Sequence, residues 1–389
     1  MSAALFVSNG HGEASIAERI AAEVRTIAPA MHLDHVPLVG DDVAMTNVLA
    51  CVGPRRAMPS GGLIAMGNLR NIVRDVRAGL LGLTLAQLRF LRSVRGRYDV
   101  VAAVGDAFAL FMALQTRAPA IFVGTAKSVS VAAYGPFEQR LLRRARMRFV
   151  RDDATARRLR ERGIATEPAA NVIVDLFATG DDPRAQRAVE GFRPAIALFP
   201  GSRSEAYDDA EFLLRVVRGL ACDEPALGAV LSIAPRLAID EFAAASRRAG
   251  WEVSPCEVDG AIPFTLHGLG QARVRAWRGP LGPILKRVSL VLGQAGTANE
   301  AAAAAGVPVV AFEDARRKSM WYRKRQQGLL GDALALFPAN VDAAIDGVGA
   351  LLRDPARRAG MSAAGRMRMG SPGAARRIAE RIVTLGASA

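Results

Sequence analysis

Four short stretches carry residue types that can do chemistry. In Ser8-Asn9-Gly10-His11-Gly12-Glu13, the apolar run Leu5-Phe6-Val7 stops at two glycines around a histidine. A helical pattern with Ile16, Ile20 and Val24 on one face starts at once. Gly10 and Gly12 permit backbone conformations and close approaches that a Cβ forbids, so His11 and Glu13 stand at a helix N-terminus as candidate acid–base groups. Glu13 can equally complement the helix dipole. A dinucleotide fingerprint fits poorly: Ser15 stands where the third glycine or alanine belongs, and a carboxylate at Glu13 repels a pyrophosphate. In Val104-Gly105-Asp106-Ala107-Phe108 an aspartate falls just past a strand end. It is either a helix cap or a general base that takes a proton from an attacking hydroxyl.

The other two stretches suit a nucleotide. Pro200-Gly201-Ser202-Arg203 follows one apolar run and precedes a helix expected from about Tyr207. Free backbone N–H groups and the Ser202 hydroxyl can cradle an anion that Arg203 clamps. No Gly-Lys-Ser/Thr follows, so this is not a P-loop, and a plain turn with a surface arginine is the alternative. After a strand ending at Gly293, the small residues Ala295 and Gly296 let a ligand lie against backbone, and a helix is expected from near Thr297. Glu300 in its first turn can accept hydrogen bonds from both hydroxyls of a ribose, or it can close a capping box with Thr297 as N-cap.

Elements must hold these loops in place. Short β-like runs, each followed by a helical pattern, occur at Ala4–Val7, Val100–Val104, Ile121–Val123, Arg148–Val150 and Val172–Val174. They recur at Ile196–Phe199, Val230–Ile233, Val288–Leu292 and Val307–Phe312. Strands alternating with helices predict parallel βαβ units and an α/β fold. Residues 178–194, polar and punctuated by proline, read as a linker. The expectation is two Rossmann-like, doubly wound domains with a cleft between them. The first spans 1–178 and the second 195–370, while 371–389 form a C-terminal helix able to pack back on the first. Ligands of open α/β sheets bind beyond the carboxyl ends of the strands, where all four stretches fall.

Composition narrows the class. The 389 residues are 51% apolar, enough for a large core in two domains. Cys51, Cys222 and Cys256 form no paired motif and suit a reducing cytosol. No signal-peptide pattern opens the chain, and no charge-free run nears the roughly 20 residues of a membrane span. A net charge of +14 calls for an anionic partner. Residues 69–97 concentrate it: seven arginines and one acid, Asp75, surround Leu80, Leu81, Leu83, Leu85, Leu88, Phe90 and Leu91. This is either a segment lying on an anionic membrane surface or a core-facing helix with a solvated face. Aromatics are only 6% and do not interleave with the arginines, which argues against a nucleic-acid partner. The four histidines, among them His32 and His35 flanking an expected strand end, give no metal-ligand spacing. No metal and no other cofactor is expected.

Taken together, PGSRSEA, GTANEAAAAAGVPVV and the N-terminal GEAS resemble the lipid A disaccharide synthases, and more closely a related group with an N-terminal SNGHGE. The resemblance runs through most of the chain, with little between Asp34 and Tyr98. It implies a GT-B glycosyltransferase with the acceptor mainly on the first domain and the nucleotide-sugar on the second. By the same resemblance the transfer inverts, needs no metal, and moves sugar from a UDP-sugar to a lipid-linked or amphipathic acceptor. Gly10, Gly12 and Glu13 become the acceptor-side loop, and His11 belongs to the related group's pattern. Asp106 takes the place of the family's catalytic aspartate, in a motif shorter than the family's GIDAPDF. Asp106, Glu13 and His11 are therefore the candidate bases. Arg203 and Glu300 match the donor-site arginine and glutamate, with Gly201, Ser202, Gly296 and Thr297 beside them. Gln326 and Gln327, in KRQQGLLG, resemble the related group's AQQRLLG on the donor side. The implied location is cytoplasmic, peripheral to the inner face of the plasma membrane. Two rivals stand beside this reading: a dinucleotide-dependent oxidoreductase built on the first half, and a non-catalytic protein that binds a sugar nucleotide or a membrane.

Overall fold

The computed structural model describes residues 2–39, 48–56, 76–77, 79–177, 180–256, 260–268, 270, 272–313 and 320–387, without the side chains of 11 and 320–323. The chain forms two compact units, Met1–Leu176 with Ser371–Ala389, and Phe177–Gly370.

The first unit is built on a parallel sheet of six strands: β1 (Ala3–Ser8), β2 (His32–Pro37), β3 (Ala50–Cys51), β4 (Val100–Gly105), β5 (Ala120–Gly124) and β6 (Met147–Val150). Their order is β3-β2-β1-β4-β5-β6. Every residue of β4 and β5 is buried, which is why these strands read as unbroken apolar runs: helices cover both faces of a parallel sheet. The helix His11–Ile27 buries Ile16, Ile20 and Val24, the stripe expected of it. The C-terminal helix Ala374–Ala387 packs on that helix and buries Ile378 and Ile382. Its first turn is held by the buried Asp175 carboxylate, which accepts the Gly373 N–H at 2.5 Å and the Ala375 N–H at 2.7 Å.

The second unit holds eight strands: β7 (Ala195–Phe199), β8 (Gly228–Ser232), β9 (Glu252–Pro255), β10 (Phe264–His267), β11 (Arg273–Trp277), β12 (Leu290–Gly293), β13 (Val309–Glu313) and β14 (Leu334–Pro338). Their order is β14-β13-β12-β7-β8-β11-β10-β9, parallel except for the β11-β10-β9 edge.

Three expectations need correction. Val172–Val174 is not a strand: it lies in the helix Val172–Leu176, with Val172, Ile173, Val174 and Asp175 all buried. A short run buried on every side has no period that separates strand from helix. Residues 178–194 are not simply a linker, because the helix Pro183–Val189 lies inside them. Asp182 caps it, Pro183 opens it, and Ala185, Ala188 and Val189 are buried. Polarity there marked a helix start rather than a free connection. Finally, His32 does open β2, but His35 lies inside that strand rather than beside its end.

His35 is fully buried, with Nε2 2.8 Å from Ser8 Oγ. Burial lowers its pKa from 6.5 to about 4. The folded protein keeps this ring neutral where the unfolded chain would protonate it. The group's stabilisation is therefore complete above pH 6.5 and is lost as pH falls through 4. That loss approaches about 3 kcal/mol. Urea denaturation between pH 4.5 and 7.5 should show a steeper acid loss for wild type than for His35→Gln. Equal slopes would show that His35 is not held neutral.

Candidate functional site

Each sheet reverses its winding between two neighbouring parallel strands. In the first unit the chain leaves β1 toward β2 but leaves β4 toward β5, and β1 and β4 are neighbours. In the second it leaves β7 toward β8 and β12 toward β13, and β7 and β12 are neighbours. At such a reversal the two loops part to opposite faces and leave a crevice at the carboxyl ends, where ligands of this architecture sit. All four stretches singled out from the sequence occupy these two reversals.

In the first unit, β1 runs into the helix at His11 through Gly10, whose φ of 125° is open to glycine and strained for other residues. Glu13 folds back over this turn: a Cβ at Gly10 would come 2.7 Å from its Oε2, and one at Gly105 3.3 Å from its Cγ. Gly105, at φ 134°, closes β4. Asp106 then caps the helix Ala107–Ala113, its Oδ1 accepting the Phe108 N–H at 3.0 Å and the Ala109 N–H at 3.1 Å. Its Oδ2 accepts the Asn9 side-chain N–H at 3.0 Å. Glu13 and Asp106 thus meet at one strand end, and Asn9 joins them. Asn9 was not singled out, although it lies inside the quoted stretch; a residue between strand and glycine at a winding reversal is the signal that could have found it. The His11 backbone opens the helix, and its side chain lies outside the described residues.

In the second unit the Phe199 carbonyl, at the end of β7, accepts the main-chain N–H groups of Gln294 at 2.9 Å and Ala295 at 3.1 Å. One carbonyl therefore ties the β12 loop to β7. The buried Gln294 side chain exchanges two 3.3 Å bonds with the Phe312 main chain, continuing the β12–β13 ladder past its end. Gln326 donates to Ala295 O at 3.0 Å and fixes the same loop from the helix Met320–Leu330. Gly201 turns at φ 127° into the helix Ala206–Asp223, and Ser202 and Arg203 are exposed in that turn. Among the described residues the Arg203 guanidinium has no partner. Glu300 is half-buried in the first turn of the helix Thr297–Ala304.

Two assignments shift. Gly296, not Thr297, is the N-cap, so Asn299 rather than Glu300 falls at the third helical position and the expected capping box does not form. The fully buried Asn299 donates to Gly293 O at 3.0 Å instead. Gln327 does not join Gln326 on the loop: it donates to Gly331 O at 2.9 Å and Leu334 O at 3.0 Å, closing the turn into β14. Neighbours on a helix point about 100° apart, so both glutamines of one pair cannot serve one loop.

No family model and no curated protein matches the chain. Solved structures do. A UDP-GlcNAc 2-epimerase from Neisseria meningitidis bound to UDP-GlcNAc aligns at 13% identity and TM-score 0.57, covering 100% of both chains. MurG of Acinetobacter baumannii aligns at 14% identity and TM-score 0.59, over 99% of this chain and 100% of that one. The spinosyn rhamnosyltransferase SpnG complexed with thymidine diphosphate aligns at 15% identity and TM-score 0.59, over 98% of this chain and 100% of that one. At these identities the likeness is one of fold: two Rossmann-like α/β domains, the GT-B architecture.

The cap geometry makes Asp106 separable by chemistry. Asp106→Asn keeps an oxygen for the two capped N–H groups, and Asp106→Ala keeps none. Chemical denaturation should cost Asp106→Ala about 1–2 kcal/mol and Asp106→Asn well under half of that. Equal losses would show that the cap does not hold this turn.

Proposed function

We propose that the protein is a glycosyltransferase that moves a sugar from a sugar nucleotide, a UDP-sugar in the first instance, to a lipid-linked or amphipathic acceptor. The observation that carries this reading is the β12–β7 reversal: an exposed Arg203, without a partner among the described residues, stands on one loop, and Glu300 lies in the first turn of the helix that follows the other. Arg203 supplies a fixed positive charge for a diphosphate, and a carboxylate in the first turn suits ribose hydroxyls. A dinucleotide oxidoreductase on the first unit is disfavoured, because Glu13 lies over the turn where a pyrophosphate would dock.

In the proposed reaction Asp106 takes the proton of an acceptor hydroxyl. The freed oxygen attacks the anomeric carbon from the side opposite the nucleotide, and the bond to the diphosphate breaks with its electron pair leaving on UDP. The configuration inverts. Asn9 holds Asp106 Oδ2 in place for this step, and Glu13 and His11 stand next in order as bases. Arg203 and the main-chain N–H groups of the two loops stabilise the leaving diphosphate, which is the role a metal would otherwise fill.

The acceptor class draws on the surface of the first unit. The helix Leu80–Ser93 buries Leu83, Gln87 and Leu91 but exposes Leu81 at 68% and Leu85 at 47%. Among the described residues, five of the six exposed large hydrophobics lie between Val76 and Phe137: Val76, Leu81, Leu85, Phe108 and Phe137. Arg77, Arg89, Arg92 and Arg95 are exposed along the same stretch, and Arg70 and Arg74 lie outside the described residues. The helix thus faces the core on one side and presents leucines beside arginines on the other, a pattern that supports docking to an anionic surface. No helix among the described residues is long and apolar enough to cross a membrane, so docking would be peripheral.

Two measurements test the reading. In calorimetry with EDTA present throughout, Glu300→Ala should weaken UDP by about 1–3 kcal/mol, and Arg203→Ala should weaken UDP but not uridine. Equal losses for both ligands would remove Arg203 from the diphosphate, and UDP binding that needs a metal would remove metal independence. In sedimentation with anionic phosphatidylglycerol vesicles, the wild type should pellet at low salt, less at high salt, and less after charge reversal at Arg89 and Arg92. A wild type that stays in the supernatant at low salt would favour a soluble acceptor.

A further inference from the structure

Buried polar atoms are nearly always hydrogen-bonded, and each exception calls for an explanation. Among the described residues three buried side-chain atoms have no partner: Thr125 Oγ1, Tyr134 OH and Asn299 Oδ1. None is scattered through the core. Asn299 lies in the first turn of the helix after β12, and the other two lie in the single connection from β5 to the helix Pro136–Leu142.

Tyr134 is 4% exposed, and its ring meets Phe122 edge-on at 6.2 Å. Its hydroxyl is lodged against Gly124, where a Cβ would strike it. Gly124 is the register partner of Gly105, the residue before Asp106, and Thr125 N–H donates to Gly105 O at 3.0 Å. The orphaned hydroxyls therefore border the strand end that carries Asp106. Burial, then the Glu138, Asp106 and Asp152 carboxylates, push the phenol pKa well above its ordinary value against Arg151. The group stays protonated, able both to donate and to accept.

Charge selects the ligand class. Lys127 pairs with Glu138 at 2.6 Å, Arg151 donates to Thr125 O at 3.2 Å, and Asp152 caps the helix Asp153–Arg160. Three carboxylates, Asp106, Glu138 and Asp152, face two cations, Lys127 and Arg151. An anion gains nothing from this rim, whereas a neutral hydroxyl can donate to carboxylates and exchange bonds with Tyr134 and Thr125. A phenol oxygen that bonds nothing would also be better replaced by hydrogen, since burying it unpaired is destabilising.

We propose that the rim formed by the end of β4 and the loop after β5 is a subsite for a neutral sugar of the acceptor, with Tyr134 and Thr125 reading its hydroxyls. The assignment rests on the acceptor-side reading of the first unit. Because both oxygens are covered, the loop 125–135 shifts to admit the sugar.

The test uses the full chain and octyl β-D-glucoside below its micelle concentration as probe, read by ligand-observed NMR, with UDP titrated in parallel. Tyr134→Phe and Thr125→Val remove only the orphaned oxygens in favour of near-isosteric groups. Each should weaken the glucoside about 3- to 10-fold, leave UDP affinity unchanged, and leave Tm unchanged or raised. Glucoside binding unaltered in Tyr134→Phe overturns the subsite, as does a wild type that binds UDP but no glucoside. Tighter binding of octyl phosphate than of the glucoside overturns the neutral class. Tyr134-dependent glucoside binding without UDP binding would sustain the subsite and defeat the donor reading instead.

Discussion

The reversal of winding in each sheet is the constraint on which the rest depends. A parallel strand can be followed only by a crossover, so every loop that leaves a strand does so at the same edge. Where successive crossovers turn away from each other, the edge opens. In the first unit that opening falls between β1 and β4, and in the second between β12 and β7. Asn9, Glu13 and Asp106 gather at one, and Ser202, Arg203 and Glu300 at the other. Neither group is contiguous in sequence.

An open edge has a cost, since the last main-chain groups of each strand lose their ladder partners and cannot be buried unpaired. The two units meet it differently. In the second, Phe199 O takes two N–H groups at once, and the Gln294 and Gln326 amides stand in for absent strand neighbours. The resulting loop is pinned from β7, from β13 and from the helix Met320–Leu330. In the first, Asp106 caps a helix while Asn9 binds its free oxygen, so the carboxylate is oriented from two sides. The glycines at 10, 105 and 201 permit turns that a side chain would strain. The neighbouring β5 loop leaves two hydroxyls unsatisfied, two of the three such buried side-chain atoms among the described residues.

The first unit is completed from the far end of the chain. The last helix is docked by a buried aspartate from the segment just before the chain enters the second unit. Two main-chain N–H groups on one carboxylate provide charge-assisted bonds that a neutral residue would not match. Residues 175 and 373–375 are therefore bound together although the whole second unit lies between them in sequence.

The sequence by itself determined the strand–helix alternation, because strands such as β4 and β7 are buried on both faces and must be apolar throughout. It also marked where the chain turns at the carboxyl ends of those strands, because glycine directly after such a run signals a turn. What it could not determine was any choice resting on a distant partner. The run at Val172 became a helix once all its sides were covered, and Asp175 gained its role only from residues two hundred positions away. Asn9 gained meaning only when β1 and β4 became neighbours. Gln326 and Gln327 look equivalent in sequence, yet helical geometry sends one to the Ala295 loop and the other to the turn before β14. Tyr134 reads as an ordinary core aromatic until folding places its oxygen against Gly124 with nothing to bond. Local patterns are written into sequence by burial and backbone freedom, whereas hydrogen-bond partners are assigned by topology, which sets residues remote in the chain side by side.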